Sequence, residues 1–270
     1  MRDDLSGHRG LPGRLGTAEV ADLDLLEPVA PGPLARCVGV VGGRGGAGAS
    51  TLAAALAVTA AGSGRAVLVD LDPLGGGIDL LLGAETAPGL RWPALASASG
   101  RLSAGALAAA LPVSAGAAVL SFDRGGVLTV PSAAVHAVVD ASVRGFDVVV
   151  LDCPRQLDPA VAAALAGCDL VLVVVPAEVR AVAAAARVAQ AVSAHSTEVQ
   201  VVVRGPAPSG LTATDVARVL GVPVAGWLRP EPNLDRAQER GDPPAASGRG
   251  PLAAFAADLL GGLRRLRTAA

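Results

Sequence analysis

The sequence contains no lysine and no tyrosine. Aromatic residues make up 2% of it and the formal net charge is −2, so it has neither base-stacking platforms nor a general attraction for a phosphate backbone. Nucleic acid is therefore not an expected partner. Apart from histidine, every cationic side chain is an arginine, so any bound anion must be met by guanidinium groups or a metal ion. Cysteine is scarce too. Cys37, Cys153 and Cys168 are odd in number and lack metal-ligand spacing, which suits reduced thiols used as small core residues. No apolar run reaches the roughly 18–20 residues of a membrane span, and the N-terminus lacks an apolar leader core, so the expected location is the cytoplasm. His8, His136 and His195 are scattered without partner spacing and are read as solvated or capping residues.

Hydrophobic residues are plentiful, 51% of 270, enough for the core of one α/β domain. Residues 1–35 mix Gly, Pro and charges around a Leu23-Asp-Leu-Leu26 patch and are read as a disordered tail or linker. From 36 to 268 no composition break appears, so a single domain is expected.

The domain is organised around residues 38–51. Val38 to Val41 is a short β-branched run stopped by glycine, which suits a buried parallel strand. From Ser50 the chain reads as a helix whose N-terminus opens at the glycines, where unpaired N–H groups and the positive helix end favour a phosphate. Two motifs compete for these glycines. Gly43-Arg-Gly45-Gly-Ala-Gly48 satisfies G-x-G-x-x-G, with Asp70 about twenty residues on as a ribose-binding acid. The pattern G-x-x-x-x-G-K-[ST] is met at Gly43, Gly48 and Ser50 but has Ala49 in the lysine position. On pattern alone the dinucleotide motif leads.

Strands ending in acids follow. Arg65 to Asp72 is apolar and closes on Asp70 and Asp72, carboxylates expected at the carboxyl edge of the sheet beside the loop. Taking the two acids to alternate, only one of them is expected to face the loop. Phe146 to Cys153 repeats the signal, ending in Asp152, where an aspartate can hold a magnesium-bound water. Further strands are expected at 117–122, 169–176, 199–203 and 222–228, and helices at 105–110, 132–143, 177–194 and 211–220. Such alternation implies right-handed crossovers and a mostly parallel sheet flanked by helices. Trp92 is read as packing. Leu252 to Leu266 places Phe255, Leu259, Leu260, Leu263 and Leu266 on one helical side, with Arg264, Arg265 and Arg267 at the end. That helix is expected to pack on the sheet, with a lipid surface as the alternative.

On these residues the chain resembles the MinD/ParA family of deviant Walker A ATPases. Within it, the resemblance points to the TadZ/CpaE-like branch and the actinobacterial CpaE-like proteins described as septum site-determining (Ssd). The likeness covers roughly residues 36–268 and rests on Gly43-Arg-Gly-Gly-Ala-Gly-Ala-Ser-Thr51, Val69-Asp-Leu-Asp-Pro-Leu-Gly-Gly-Gly77, Leu151-Asp-Cys-Pro-Arg155 and Val201-Val-Val-Arg-Gly-Pro206. The second segment decides the motif contest, because a dehydrogenase has no reason to carry it together with Asp152. The resemblance implies a three-layer P-loop NTPase fold, ATP and Mg2+ as cofactors, and a cytoplasmic ATP-linked homodimer. Its implied partners are a pilus or secretion ATPase, or the division machinery, with peripheral membrane contact.

Position by position, the nucleotide would be held by Gly43, Arg44, Gly45, Gly46, Ala47, Gly48, Ala49, Ser50, Thr51 and Arg204. Arg44 matches the signature lysine that reaches a partner's phosphates, Ser50 the magnesium hydroxyl and Thr51 an α-phosphate contact. Asp72 matches the acid that orients the attacking water, and Asp152 the strand-end acid at the metal. Ala49 and Val203 depart from the family, Val203 standing where relatives carry an adenine-contacting asparagine. Hydrolysis is accordingly expected to be slow or absent, with a nucleotide-free scaffold as the alternative.

Overall fold

A computed structural model describes residues 35–126 and 128–268. The tail at 1–34, with its leucine patch and His8, lies outside the described residues. At its boundary the Ala35 N–H donates to Val143 O at 3.1 Å.

An eight-stranded sheet forms the middle layer. Its strands are β1 (Arg36–Gly42), β2 (Ala66–Asp70), β3 (Val113–Ser114), β4 (Ala117–Leu120), β5 (Val148–Cys153), β6 (Leu170–Pro176), β7 (Val199–Arg204) and β8 (Val224–Leu228), in the order β3-β4-β2-β5-β1-β6-β7-β8. All pairings are parallel except the short edge pair β3–β4. β1, β5 and β6 are valine-rich because helices cover both faces of the sheet there, leaving no solvent-facing side to make polar.

Alternation along the strands sorts side chains into two cores. Val38, Val40, Leu68 and Val150 point to the face covered by α1 (Ala49–Ala61), α2 (Ile78–Leu81) and α10 (Pro251–Thr268). Cys37, Val41, Val69, Val149 and Leu151 point to the opposite face. That face is covered by α3 (Trp92–Leu95), α4 (Ala104–Ala110), α5 (Ser132–Gly145), α6 (Pro159–Ala166), α7 (Val179–Ser193) and α8 (Ala213–Leu220). The remaining short helix, α9 (Leu234–Glu239), has no buried residue.

α1 is buried along most of its length, from Leu52 to Val58 and again at Ala60. A helix apolar all round belongs between two layers, and its alanines let α10 lie close against it. Leu52 and Leu56 are both fully buried, each worth about 1.5–3 kcal/mol over an exposed leucine. α10 runs through Gly261 and Gly262 and buries Leu252, Ala256, Leu260 and Leu263 in the same core. The apolar side of the C-terminal helix therefore packs mainly on α1, where packing on the sheet itself was expected, and meets the sheet through Phe255 at Gly226 of β8. The side chains of Arg264, Arg265, Leu266 and Arg267 lie outside what is described. No helix among the described residues is long and apolar enough to cross a membrane. Cys37, Cys153 and Cys168 are all free thiols.

β5 sits between β1 and β2. In the dinucleotide-binding arrangement the first two strands are neighbours, so the sheet order removes the G-x-G-x-x-G reading.

Candidate functional site

The loop between β1 and α1 is positioned by the two central pairings. β1 pairs with β5 on one side and β6 on the other, and the Gly43 N–H continues the ladder by donating to Val174 O at 2.8 Å. A methyl group on Gly43 would stand 2.6 Å from Ala185 Cβ, so only glycine lets α7 close over the loop here. Ala47 is buried in the α1-side core and its N–H donates to Arg44 O at 3.3 Å. Gly48 caps α1 in the left-handed region, φ 94°.

Gly43 and Ala47 therefore spend their N–H groups inside the protein. For the N–H groups of Gly45, Gly46, Gly48, Ala49, Ser50 and Thr51 no acceptor occurs among the described residues. Gly45 and Gly46 are exposed, and nothing lies within 4 Å of where a Cβ on Gly46 would be. An open row of unpaired donors at a helix N-terminus is a cradle for an anion.

Two cavities flank the start of α1 and share Thr51. One, of 510 Å3, runs past Gly48, Arg204, Gly205, Asn233 and Arg236. The other, of 540 Å3, holds Ser50, Asp70, Asp72, Asp152 and Gln238. The strand-end acids thus converge beside the loop. Asp70 and Asp152 are opposed in the β2–β5 register, and both extend the α1-facing side of their strands.

The expectation that only one of Asp70 and Asp72 faces the loop is corrected. Residues two apart in an extended chain share a face, and both line the same cavity.

Burial raises the Asp70 carboxyl to about 7, against the pull of hydrogen bonds from the N–H groups of Asp72 and Ile78. Burial, and after it the Asp70 charge, raises Asp152 to about 8, while a hydrogen bond with Ser50 pulls it down. A cation held here would give both carboxylates a counter-charge and favour their ionised forms. Ser50 and Asp152 therefore fit a hard divalent ion, which takes oxygen ligands.

The Arg44 guanidinium is tied to Glu178 and to the loop's own backbone. Its Nη2 reaches both carboxylate oxygens of Glu178, at 3.1 and 3.0 Å, and its Nη1 donates to Gly45 O at 3.1 Å. Arg204 does stand at the loop: a methyl on Gly48 would lie 3.3 Å from its Nη1. Its Nε is buried without an acceptor. Val203 points the other way, fully buried in the larger core. His136 and His195 are exposed and lie outside both cavities.

Sequence reasoning missed four contributors. Asp70 was placed beside the loop but given a role only as a ribose acid. Trp92 is more than packing, since its Nε1 donates to Asp70 O at 2.5 Å and pins the end of β2. Asp79, fully buried, accepts from Arg91 Nε at 3.1 Å, Arg124 Nη2 at 2.8 Å and Ser121 Oγ at 3.2 Å. Burial pushes the Asp79 carboxyl up, but hydrogen bonds from Arg124 and Arg91 outweigh it and hold it below its ordinary value. Through Ser121, which also touches Asp70 at 3.4 Å, this cluster props the acid cavity from below. Lastly, Gln238 of α9 donates to Thr51 Oγ1 at 3.0 Å. A polar segment with no buried residue gives no periodic signal that would have found it.

No protein-family model matches the chain. Two uncharacterized proteins of Mycobacterium tuberculosis, from strains CDC 1551 / Oshkosh and ATCC 25618 / H37Rv, are each 52% identical over 204 residues. The match takes in 76% of this chain and 57% of theirs, so the chain spans little more than half the length of the curated relatives it matches. Among solved structures, a ParA family ATPase from Chlorobium tepidum TLS is similar with TM-score 0.72 and 16% identity, over 83% of this chain and 97% of that one. The septum site-determining protein MinD from Pyrococcus horikoshii OT3, complexed with Mg-ADP, gives TM-score 0.70 at 20% identity, over 87% and 98%. MinD from Aquifex aeolicus gives 0.68 at 22%, again over 87% and 98%. Identities this low speak to architecture alone, and they agree with the sheet order and the glycine loop: the chain has the three-layer P-loop NTPase fold of the MinD and ParA ATPases.

Proposed function

We propose that the chain binds ATP·Mg2+ at the loop of residues 43–51 and acts as a MinD/ParA-like positioning or assembly factor with slow or no ATP hydrolysis. The observation that carries this reading is the convergence of Ser50, Asp72 and Asp152 in one cavity at the mouth of a loop in which six N–H donors, from Gly45, Gly46 and Gly48 to Thr51, have no acceptor among the described residues. Ser50 and Asp152 would hold the metal, Asp72 a water, and the loop N–H groups with Arg204 the phosphates. When bound, the metal supplies charge neutralisation between phosphate oxygens. Ala49 motivates slow turnover, since losing one transition-state donor typically slows chemistry about a hundred- to a thousandfold.

In this reading nucleotide lies at the interface of a homodimer, which requires Arg44 to leave Glu178. The served assembly, a Tad-type pilus, a secretion system or a septum site, follows from the sequence resemblance. Membrane contact through α10 would require its buried face to leave α1. Titration of purified protein with a fluorescent ATP analogue and Mg2+ tests the reading: saturable binding is expected, lost in Gly48→Arg. Light scattering is expected to show a doubled mass with ATP·Mg2+; an unchanged mass removes the dimer.

The alternative is a nucleotide-free scaffold, favoured by Ala49 and by Val203 in the core. No binding of ATP or ADP at millimolar concentration would select it.

A further inference from the structure

We infer that Arg155 and Arg204 together supply the positive charge that the loop lacks at Ala49, Arg155 toward the outer phosphate of a nucleoside triphosphate and Arg204 toward the inner ones. The inference rests on the nucleotide reading above and names the groups that make that site bind.

The chain has no lysine to recruit, and Arg44, the one arginine within the loop, is committed to Glu178. Two other guanidinium groups stand against the loop, at Gly45 and at Gly48. Arg155 follows Asp152 on the connection from β5 to α6, and its Nη2 lies 3.8 Å from where a Cβ on Gly45 would be. Arg204 ends β7 and lies against Gly48, lining the 510 Å3 cavity.

Neither has a hydrogen-bond or ion-pair partner among the described residues. Arg91, Arg124 and Arg144, by contrast, each end on a carboxylate. The Arg204 Nε is buried without an acceptor, as are those of Arg36 and Arg44, but Arg204 alone of the three has no carboxylate partner among the described residues. The N–H groups of Gly45, Gly46, Gly48, Ala49, Ser50 and Thr51 have no acceptor among the described residues, so donors from three segments meet at this loop. Arg155 stands against Gly45 and lines neither cavity, whereas Arg204 stands against Gly48 and lines the cavity that holds Thr51. This difference in position gives the two residues separable roles.

The test measures dissociation constants of the full chain for a non-hydrolysable ATP analogue and for ADP, each with Mg2+. Arg155→Ala is expected to weaken the triphosphate roughly ten- to hundredfold and to leave ADP within about twofold. Arg204→Ala is expected to weaken both ligands. Placing Ala49→Lys in the Arg155→Ala background is expected to restore triphosphate binding, as a substitution of one cation for another should.

Because neither side chain has a partner among the described residues, the alanine variants should melt no earlier than the wild type. An earlier melt would mark a structural residue and overturn the inference. So would an Arg155→Ala variant that binds the triphosphate like wild type or loses both ligands equally, or an Arg204→Ala variant that binds both normally. Wild-type protein that binds neither nucleotide would count against the nucleotide reading itself, whereas normal binding by the variants counts against the arginines alone.

Discussion

Asp70 and Asp152 face each other as register partners across the adjacent parallel strands β2 and β5, both almost wholly buried. Two carboxylates so placed cannot both ionise cheaply, and burial is the larger cause of their raised values, about 7 and about 8.

That pair sets a pH dependence. The folded protein holds protons that the unfolded chain, with ordinary carboxyls near 3.8, has already released. The stabilisation is complete below pH 3.8 and is lost as pH rises through 7 and 8. The metal-free protein is therefore expected to melt at progressively lower temperature from pH 5 to pH 8.5, beyond what its other groups produce. Asp70→Asn should flatten the profile, and millimolar Mg2+ should raise the midpoint more at pH 8 than at pH 6. Calorimetry across this range checks all three; an equal slope in the variant would refute the assignment.

Asp79 should prove the most sensitive acid in the fold. Asp79→Ala leaves Arg91 and Arg124 without their shared carboxylate, and breaking such a buried pair typically costs about 3–5 kcal/mol. Arg124→Ala, removing a half-exposed partner while Arg91 stays, should cost clearly less. Urea denaturation of the two variants gives the comparison.

Trp92→Phe removes the donor to Asp70 O from a site without solvent. An unsatisfied buried carbonyl costs about 1–3 kcal/mol, and the vacated ring adds to it. Trp227 is the other tryptophan and is 37% exposed, so Trp227→Phe should leave a blue-shifted emission arising from Trp92 alone. That single fluorophore then reports the end of β2 directly.

Two glycines of one loop should respond differently to alanine. At Gly43 the new methyl meets Ala185 and Val175, and overpacking of this kind costs about 1–3 kcal/mol. At Gly46 there is room, but φ is 68°, so the penalty is backbone strain of about 1–2 kcal/mol. Replacing Gly46 by Asn, which tolerates the left-handed region, should recover much of the loss, whereas Gly43→Asn should be worse than Gly43→Ala.

Which parts were readable from the residues follows from how each is buried. β1, β5 and β6 are sandwiched between helices, so their valine runs and terminal acids stand out without alignment. α1, α5 and α7 likewise declare themselves through length and alanine content. α9 does not, because its six residues bury nothing, yet it carries the glutamine that reaches Thr51. The short α2 and α3 escaped for a similar reason: four residues are too few to show a period. Asp70 was placed at the right edge of the sheet but given a role only in the dinucleotide motif, and the parity of Asp70 and Asp72 was misjudged. The commitment of Arg44 to Glu178 joins residues 134 apart, which no local pattern reports.

The insertion of β5 between β1 and β2 has a bearing on biosynthesis. β1 has no strand to pair with until Val148 has been added, and its second flank waits for β6. β2 can pair early only with β4. At about 5–20 residues per second, a ribosome needs several seconds to bridge that interval, during which the apolar first strand is unsheltered. A nascent chain stopped short of Val148 should therefore be a strong client for holding chaperones, and release should coincide with emergence of the segment that also delivers Asp152.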